Sequence, residues 1–209
     1  MTGGPTAQGV DAANLQHWFE EHVGVAGTLA FEQIVGGLSN LTFTVSDEAG
    51  GRWVLRRPPL GHVLATAHDM AREYRIISAL ADSNVPVPSV VGLCEDDQIT
   101  GAPFYVMDFV LGLVVRTVED AALVPVDVRR RMGVALVEVL ARLHDVDLET
   151  VGLSDLGRHD GYVERQLKRW RTQFERSTTR DLPQVLETHE MLAARVPAQQ
   201  GAGLSLIQI

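Results

Sequence analysis

The pattern of apolar and polar positions predicts that the chain begins with one helix and three strands. Behind Asp11, a residue type that caps helices well, four large apolar residues recur every three or four positions and predict a short amphipathic helix. Three strand-like runs follow, and a Gly-rich turn separates the last two, so we expect an antiparallel meander. The helix positions are Leu15, Trp18, Phe19 and Val23, and the runs span residues 28–35, 41–46 and 52–57.

A second helix and two more strands follow this meander. Apolar positions repeat at three and four over residues 67–81, which predicts a helix with one buried face, and the Val-Pro-Val-Pro stretch at 85–88 ends it. Two further strands are expected at 89–94 and 104–110, on either side of a polar turn at 95–101. This part of the chain therefore has the order β-β-β-α-β-β.

Beyond Gly112 the pattern becomes helical, with periodic segments at 128–144, 161–176 and 182–195. A doubly wound sheet would alternate strands and helices throughout, so this order does not fit one. We predict an α+β fold with the two-lobe plan of protein kinases. Its N-lobe, residues 1–110, has five antiparallel strands and one inserted helix, and its helical C-lobe, residues 111–209, is incomplete.

Composition and charge narrow the range of partners. The 209 residues carry 18 basic and 27 acidic side chains, a net charge of −9, and no basic run interrupts them. Residues 1–110 alone hold 13 acidic and 5 basic side chains. We therefore expect neither a nucleic acid nor an anionic membrane as a partner. A single cysteine, Cys94, and a start without an apolar signal segment lead us to expect a cytoplasmic protein.

The first candidate for chemistry is the turn Gly36-Gly37-Leu38-Ser39-Asn40 between two predicted strands. Small residues there let backbone N–H groups approach a phosphate, and Ser39 and Asn40 add side-chain donors. The alternative is that the glycine pair only makes a hairpin turn. The turn is not a Walker loop, because no lysine follows it; the one lysine of the chain is Lys168.

The second candidate is a cation on the third predicted strand. Trp53-Val54-Leu55-Arg56 has the form of the kinase strand V-A-I-K with arginine in place of lysine. Such a cation neutralises nucleotide phosphates and is held by a glutamate of the next helix, which here is Glu73. We predict that Arg56 and Glu73 form an ion pair. The alternative is an arginine at a strand edge and a solvated glutamate.

The third candidate lies where the last strand runs into the connection between the lobes. Backbone groups near Asp108 and Phe109 could receive the edge of an adenine, and Met107 could shape the back of that pocket. An apolar strand of this kind also suits an ordinary core strand. Its position at the end of the predicted sheet is therefore the only feature that favours a nucleotide site.

Six motifs in order resemble the aminoglycoside phosphotransferase family, and the likeness is greatest to the branch similar to the kinase domains associated with acyl-CoA dehydrogenases. The resemblance covers residues 11 to about 207. The motifs are G-G-L-S-N-L-T-F at 36–43, W-V-L-R-R-P-P at 53–59, H-D-M-A-R-E-Y at 68–74, V-P-V-P at 85–88, G-A-P-F-Y-V-M at 101–107 and Y-V-E-R-Q at 162–166.

This resemblance implies a kinase-like fold that binds ATP and Mg²⁺ between its lobes and transfers the γ-phosphoryl group to the hydroxyl of a small molecule. By the same resemblance Gly37, Ser39 and Asn40 would cover the phosphates. Arg56 would contact the phosphates with Glu73 as its partner. Met107, Asp108 and Phe109 would hold the adenine.

The catalytic loop of that family, H-G-D-x-x-x-x-N, does not occur in the 209 residues. Residues 204–207 resemble the apolar strand that leads into the loop. We therefore expect a chain truncated before its catalytic residues, with Mg²⁺ binding in doubt and little transfer activity. Two hypotheses remain open: a family phosphotransferase represented in part, and a non-catalytic fragment that binds a nucleotide or a partner. Uncovered apolar helix faces would favour self-association.

Overall fold

The computed structural model describes residues 9–35, 40–60, 68–199 and 201–205. The chain divides into two compact units, residues 1–142 and 143–209. The boundary that the sequence predicts at residue 110 stays a prediction. The strands are β1 Ala30–Gln33, β2 Leu41–Ser46, β3 Arg52–Arg57, β4 Val90–Cys94 and β5 Phe104–Asp108. The helices are α1 Ala12–His22, α2 Met70–Leu80, α3 Asp97–Thr100, α4 Val118–Ala122, α5 Val126–His144, α6 Tyr162–Ser177 and α7 Pro183–Ala193.

The five strands form one antiparallel sheet in the order β1-β2-β3-β5-β4. The first three strands are the predicted meander, and β5 then inserts between β3 and β4. The arrangement confirms the predicted kinase-like α+β architecture with a five-stranded antiparallel sheet and one helix, α2, between the third and fourth strands. Strands β3 and β5 are thus neighbours, with Arg56 directly opposite Tyr105 in the register.

One face of the sheet forms the hydrophobic core with α1. The cap of α1 is the predicted one, since the Asp11 carboxylate accepts a hydrogen bond from the backbone N–H of Asn14 at 3.1 Å. Trp18 and Phe19 of this helix make edge-to-face contacts with Phe104 and Trp53 of the sheet. The buried residues of this core include Leu15, Phe43, Val45, Leu55, Cys94 and Val106.

The same face also carries a buried cation, Arg57, which is only 3% exposed. Its guanidinium donates to the backbone carbonyls of Pro58 at 3.3 Å, Thr100 at 2.8 Å and Gly9. Burial lowers the pKa of this guanidinium from its ordinary value. Gly9 has a φ of +87°, and a Cβ there would lie 3.2 Å from the Arg57 side chain, so glycine suits this contact.

The opposite face of the sheet packs against α2, which begins behind Asp69, whose carboxylate accepts from the N–H of Arg72 at 2.9 Å. Because side chains alternate along a strand, Arg56 lies on this face while its neighbour Arg57 lies on the core face. Tyr74 of α2 makes an edge contact with Tyr105 of β5, with ring centroids 6.4 Å apart. The α2 face of the sheet is therefore the polar one.

The helical part of the chain differs from its prediction in two short elements. The expected polar turn at 95–101 contains the one-turn helix α3, and α4 was not predicted from the sequence. In the second unit α6 packs against α7, and Leu153 and Leu167 are buried. Residues 204 and 205 are not in a strand, and 206–209 lie outside the described residues. No helix in the described ranges is long and apolar enough to cross a membrane.

Candidate functional site

The predicted ion pair between Arg56 and Glu73 is present. The Arg56 Nε donates to Glu73 Oε2 at 2.8 Å, and each side chain keeps about a third of its surface exposed, 32% in both cases. Arg56 Nη1 also lies 3.5 Å from the Thr42 hydroxyl on the neighbouring strand. The pairing arises because β3 aims Arg56 at the first turn of α2, where Glu73 lies one turn after the cap.

Glu73 receives two further hydrogen bonds from other parts of the first unit. Tyr105 donates its phenol hydroxyl to Oε2 at 3.1 Å, the oxygen that Arg56 also contacts. Asn40 donates its side-chain amide to Oε1 at 2.9 Å. The carboxylate of α2 is therefore hydrogen-bonded to β3, to β5 and to the residue just before β2.

Asn40 stands at the end of the glycine-rich stretch, and both ends of its side-chain amide have partners. Its Nδ2 contacts Glu73, and its Oδ1 lies 2.6 Å from Nδ1 of His68, just before α2. Gly37 and Ser39, the other predicted phosphate contacts, lie outside the described residues. Their assignment stays a prediction.

The predicted adenine segment is the end of β5. Met107 lies on the α2 face, opposite Val54 in the sheet register, and is partly buried. The N–H of Asp108 donates to the Ser89 carbonyl at 2.8 Å, and the N–H of Phe109 lies 3.4 Å from the Arg52 carbonyl. The sheet therefore already uses these two backbone donors.

The surroundings of Tyr105 change the acidity of its hydroxyl. Burial of the side chain in the centre of the sheet raises the pKa of the phenol far above its ordinary value, and the negative charge of Glu73 adds to the effect. The hydroxyl therefore remains a proton donor to the carboxylate throughout the neutral and mildly alkaline range.

Sequence reasoning found Arg56, Glu73 and Asn40 but did not find Tyr105 or His68. A signal for Tyr105 was present: it is two residues from Met107, so period-2 alternation puts both on one face of the sheet. His68 immediately precedes the Asp69 cap, and no local pattern distinguishes it from an ordinary residue at a helix entrance.

A profile of the phosphotransferase enzyme family matches residues 30–205. The chain belongs to this family. Among curated relatives, it is 36% identical over 176 residues to acyl-CoA dehydrogenase family member 10 of Mus musculus. It is 38% identical over 173 residues to acyl-CoA dehydrogenase family member 11 of Gallus gallus. These alignments cover 83% and 82% of the chain but only 16% and 22% of the two relatives.

Solved structures of the family share the fold. A Ralstonia eutropha protein assigned as an aminoglycoside phosphotransferase is 32% identical with a TM-score of 0.72, over 90% of this chain and 54% of that one. The GDP complex of aminoglycoside 2'-phosphotransferase-IIIa, at 16% identity, has a TM-score of 0.61 over 88% and 60% of the two chains. At that identity the likeness concerns the fold alone.

Proposed function

We propose that the α2 face of the sheet is the phosphate-binding part of a nucleotide site, and that the chain belongs to an ATP-dependent phosphotransferase acting on the hydroxyl of a small molecule. The observation that carries this proposal is the ion pair of Arg56 with Glu73. It lies at the strand and helix positions that correspond to the phosphate-contacting lysine and its glutamate partner in protein kinases. Aminoglycoside 2'-phosphotransferase-IIIa, which shares the fold, was solved with GDP, and a purine nucleotide as the ligand of this chain is part of the proposal.

The geometry of Arg56 supports a contact with phosphate. A guanidinium has five N–H donors, of which Nε is committed to Glu73 and one on Nη1 points to Thr42. The remaining donors have no partner among the described residues and can form the paired hydrogen bonds that guanidinium groups make to phosphate oxygens. At the end of β5 we propose Met107, Asp108 and Phe109 as the adenine-binding segment, through carbonyl oxygens rather than the N–H groups that the sheet uses.

The described residues hold no preformed cluster of three side-chain metal ligands. Mg²⁺ at nucleotide sites is octahedral and is held by one or two carboxylates together with phosphate oxygens and water. Within residues 9–35, 40–60, 68–199 and 201–205, no three His, Cys, Asp or Glu side chains gather in a geometry that could hold a metal.

We also propose that residues 1–209 on their own do not transfer the phosphoryl group. Phosphoryl transfer depends on positioning and on neutralising the charge of the phosphates, and the 209 residues contain no H-G-D-x-x-x-x-N sequence to orient the acceptor. The acceptor class is a small hydroxylated molecule, with aminoglycosides, hydroxy acids and their thioesters as candidates. A second candidate function is a nucleotide-binding domain without catalysis, favoured by the intact Arg56–Glu73 pair.

Calorimetry with ADP and adenosine tests the nucleotide site. We expect Arg56→Met to weaken ADP binding roughly 10-fold to 100-fold, since hydrogen bonds to charged groups contribute about 1.5–3 kcal/mol, and to leave adenosine binding unchanged. The control is Arg72→Met, which removes the same charge from an exposed position of α2. It should change neither the binding of ADP nor that of adenosine. Equal losses for the two variants, or wild-type protein that binds neither ligand, would refute the site.

Labelled ATP offered with a panel of aminoglycosides and hydroxy acids tests the second part of the proposal. We expect no labelled product from the 209-residue chain, with or without added Mg²⁺. Turnover near the ~1–100 s⁻¹ typical of kinases would show that other residues of this chain perform the transfer. Nucleotide binding without turnover is the result that both candidate functions share for this chain.

A further inference from the structure

We propose that Tyr105 is a positioning residue that fixes the direction in which Arg56 presents to a phosphate the guanidinium donors that have no partner among the described residues. The inference rests on the proposed nucleotide site. Its basis is that Tyr105 and Arg56 are opposite each other on adjacent strands and contact the same oxygen of Glu73. Tyr105 thus acts on the ligand through Glu73 and Arg56, and its hydroxyl does not need to touch a nucleotide.

The carboxylate of Glu73 is held at both oxygens. Oε1 accepts from Asn40 at 2.9 Å, and Oε2 accepts from Arg56 at 2.8 Å and from Tyr105 at 3.1 Å. Rotation of the carboxylate would break hydrogen bonds at both oxygens. Because the acceptor is fixed, the Nε–H of Arg56 has one direction, and the planar guanidinium has a defined orientation.

Among the residues that donate hydrogen bonds to Glu73, Tyr105 has the most rigid position. Its side chain is 2% exposed in a central strand, with Leu93 of β4 on one side and Arg56 of β3 on the other. Asn40, by comparison, stands at the end of a glycine-rich stretch, and Arg56 and Glu73 are both partly solvated. The phenol is therefore the most firmly fixed of the three groups that donate hydrogen bonds to Glu73.

The decisive variant is Tyr105→Phe, which removes one hydroxyl and keeps the ring that packs against Tyr74. We expect the dissociation constant of ADP to rise about 5-fold to 10-fold, the size of effect that coupled residues in one hydrogen-bond network have on each other. The dissociation constant of adenosine should not change. The matched control is Tyr74→Phe, which makes the same chemical change on the adjacent ring and should leave both dissociation constants unchanged.

A double variant separates positioning from general packing. If Tyr105 acts through Arg56, then adding Tyr105→Phe to Arg56→Met should not weaken ADP binding further. Multiplied losses in the double variant, or an equal loss of ADP and adenosine binding in Tyr105→Phe alone, would show that Tyr105 only supports packing. An unchanged dissociation constant for ADP in Tyr105→Phe would overturn the proposal as well.

A second measurement does not depend on nucleotide binding. In ¹⁵N NMR spectra we expect one arginine Nε–H signal that exchanges slowly with solvent. Its absence in Arg56→Met would assign it to Arg56. In Tyr105→Phe this proton should exchange with solvent several-fold faster. If this holds while the wild-type protein does not bind ADP, the proposed function is wrong and the positioning is right. If the wild-type protein binds ADP but the exchange rate does not change, the positioning is wrong.

Discussion

Two adjacent arginines of β3 allow stability and nucleotide binding to be separated by one pair of substitutions. Arg57 points to the hydrophobic core and is bonded to three backbone carbonyls, whereas Arg56 points to the α2 face and pairs with Glu73. We expect Arg57→Met to lower the stability of the first unit and Arg56→Met to weaken phosphate binding. The two variants make the same chemical change one residue apart.

The magnitude for Arg57 follows from its contacts and burial. Methionine leaves the carbonyls of Gly9, Pro58 and Thr100 without their donor, and each hydrogen bond to a charged donor contributes about 1.5–3 kcal/mol. The variant also no longer has to bury a charge, and the desolvation cost of a cation that is only 3% exposed offsets several kcal/mol of this loss. We therefore expect a net loss of about 3 kcal/mol, which corresponds to roughly 6–12 °C in a chain of this size.

Arg56 should contribute much less to stability. Its ion pair with Glu73 is about a third exposed, and solvated pairs of this kind contribute about 0–1 kcal/mol. Arg56→Met should therefore lower the unfolding midpoint by no more than about 4 °C. Its larger effect should appear in the ratio of the dissociation constants of ADP and adenosine.

Thermal unfolding followed by fluorescence, together with calorimetry on both ligands, measures the two effects on the same samples. The reasoning is refuted if both variants lower the unfolding midpoint equally. It is also refuted if Arg57→Met changes the ADP-to-adenosine ratio as much as Arg56→Met does. Either result would mean that the two side chains do not act on separate faces of the sheet.

Two more predictions concern alkaline pH and association. Because burial and the charge of Glu73 raise the pKa of Tyr105 above its ordinary value of 10.0, the unfolded chain loses this proton first. The free energy of unfolding should fall as pH rises past about 10. The urea midpoints of wild type and Tyr105→Phe should differ by a constant amount from pH 8 to about 10 and converge above about pH 10. Midpoints that stay parallel up to about pH 11 would contradict this. Helix α5 exposes Leu136 by 63% and Val137 by 66%, so we expect concentration-dependent self-association. In sedimentation velocity, Leu136→Lys with Val137→Lys should reduce it and Arg129→Glu should not, whereas a wild-type monomer at all concentrations would refute the expectation.

Sequence alone determined the order of the main elements and several of their bounds. Strands β2 and β3 begin and end at the predicted residues, 41–46 and 52–57. Clean alternation marks β2, and the glycine turn before β3 and the proline pair after it mark the ends of β3. The pairing of Arg56 with Glu73 was also predictable, because the kinase strand pattern assigns a cation to position 56 and a glutamate of the next helix as its partner.

Tertiary structure alone decided what surrounds that pair. Tyr105 and Asn40 reach Glu73 from 32 and 33 residues away, and the contact of Asn40 with His68 joins positions 28 residues apart. Neither local propensity nor periodicity encodes such distances. They depend on β5 inserting beside β3 rather than following β4 at the edge of the sheet, because only that order puts Tyr105 opposite Arg56. Burial of three separate segments against one helix then selects these partners, and that selection exists only in the folded chain.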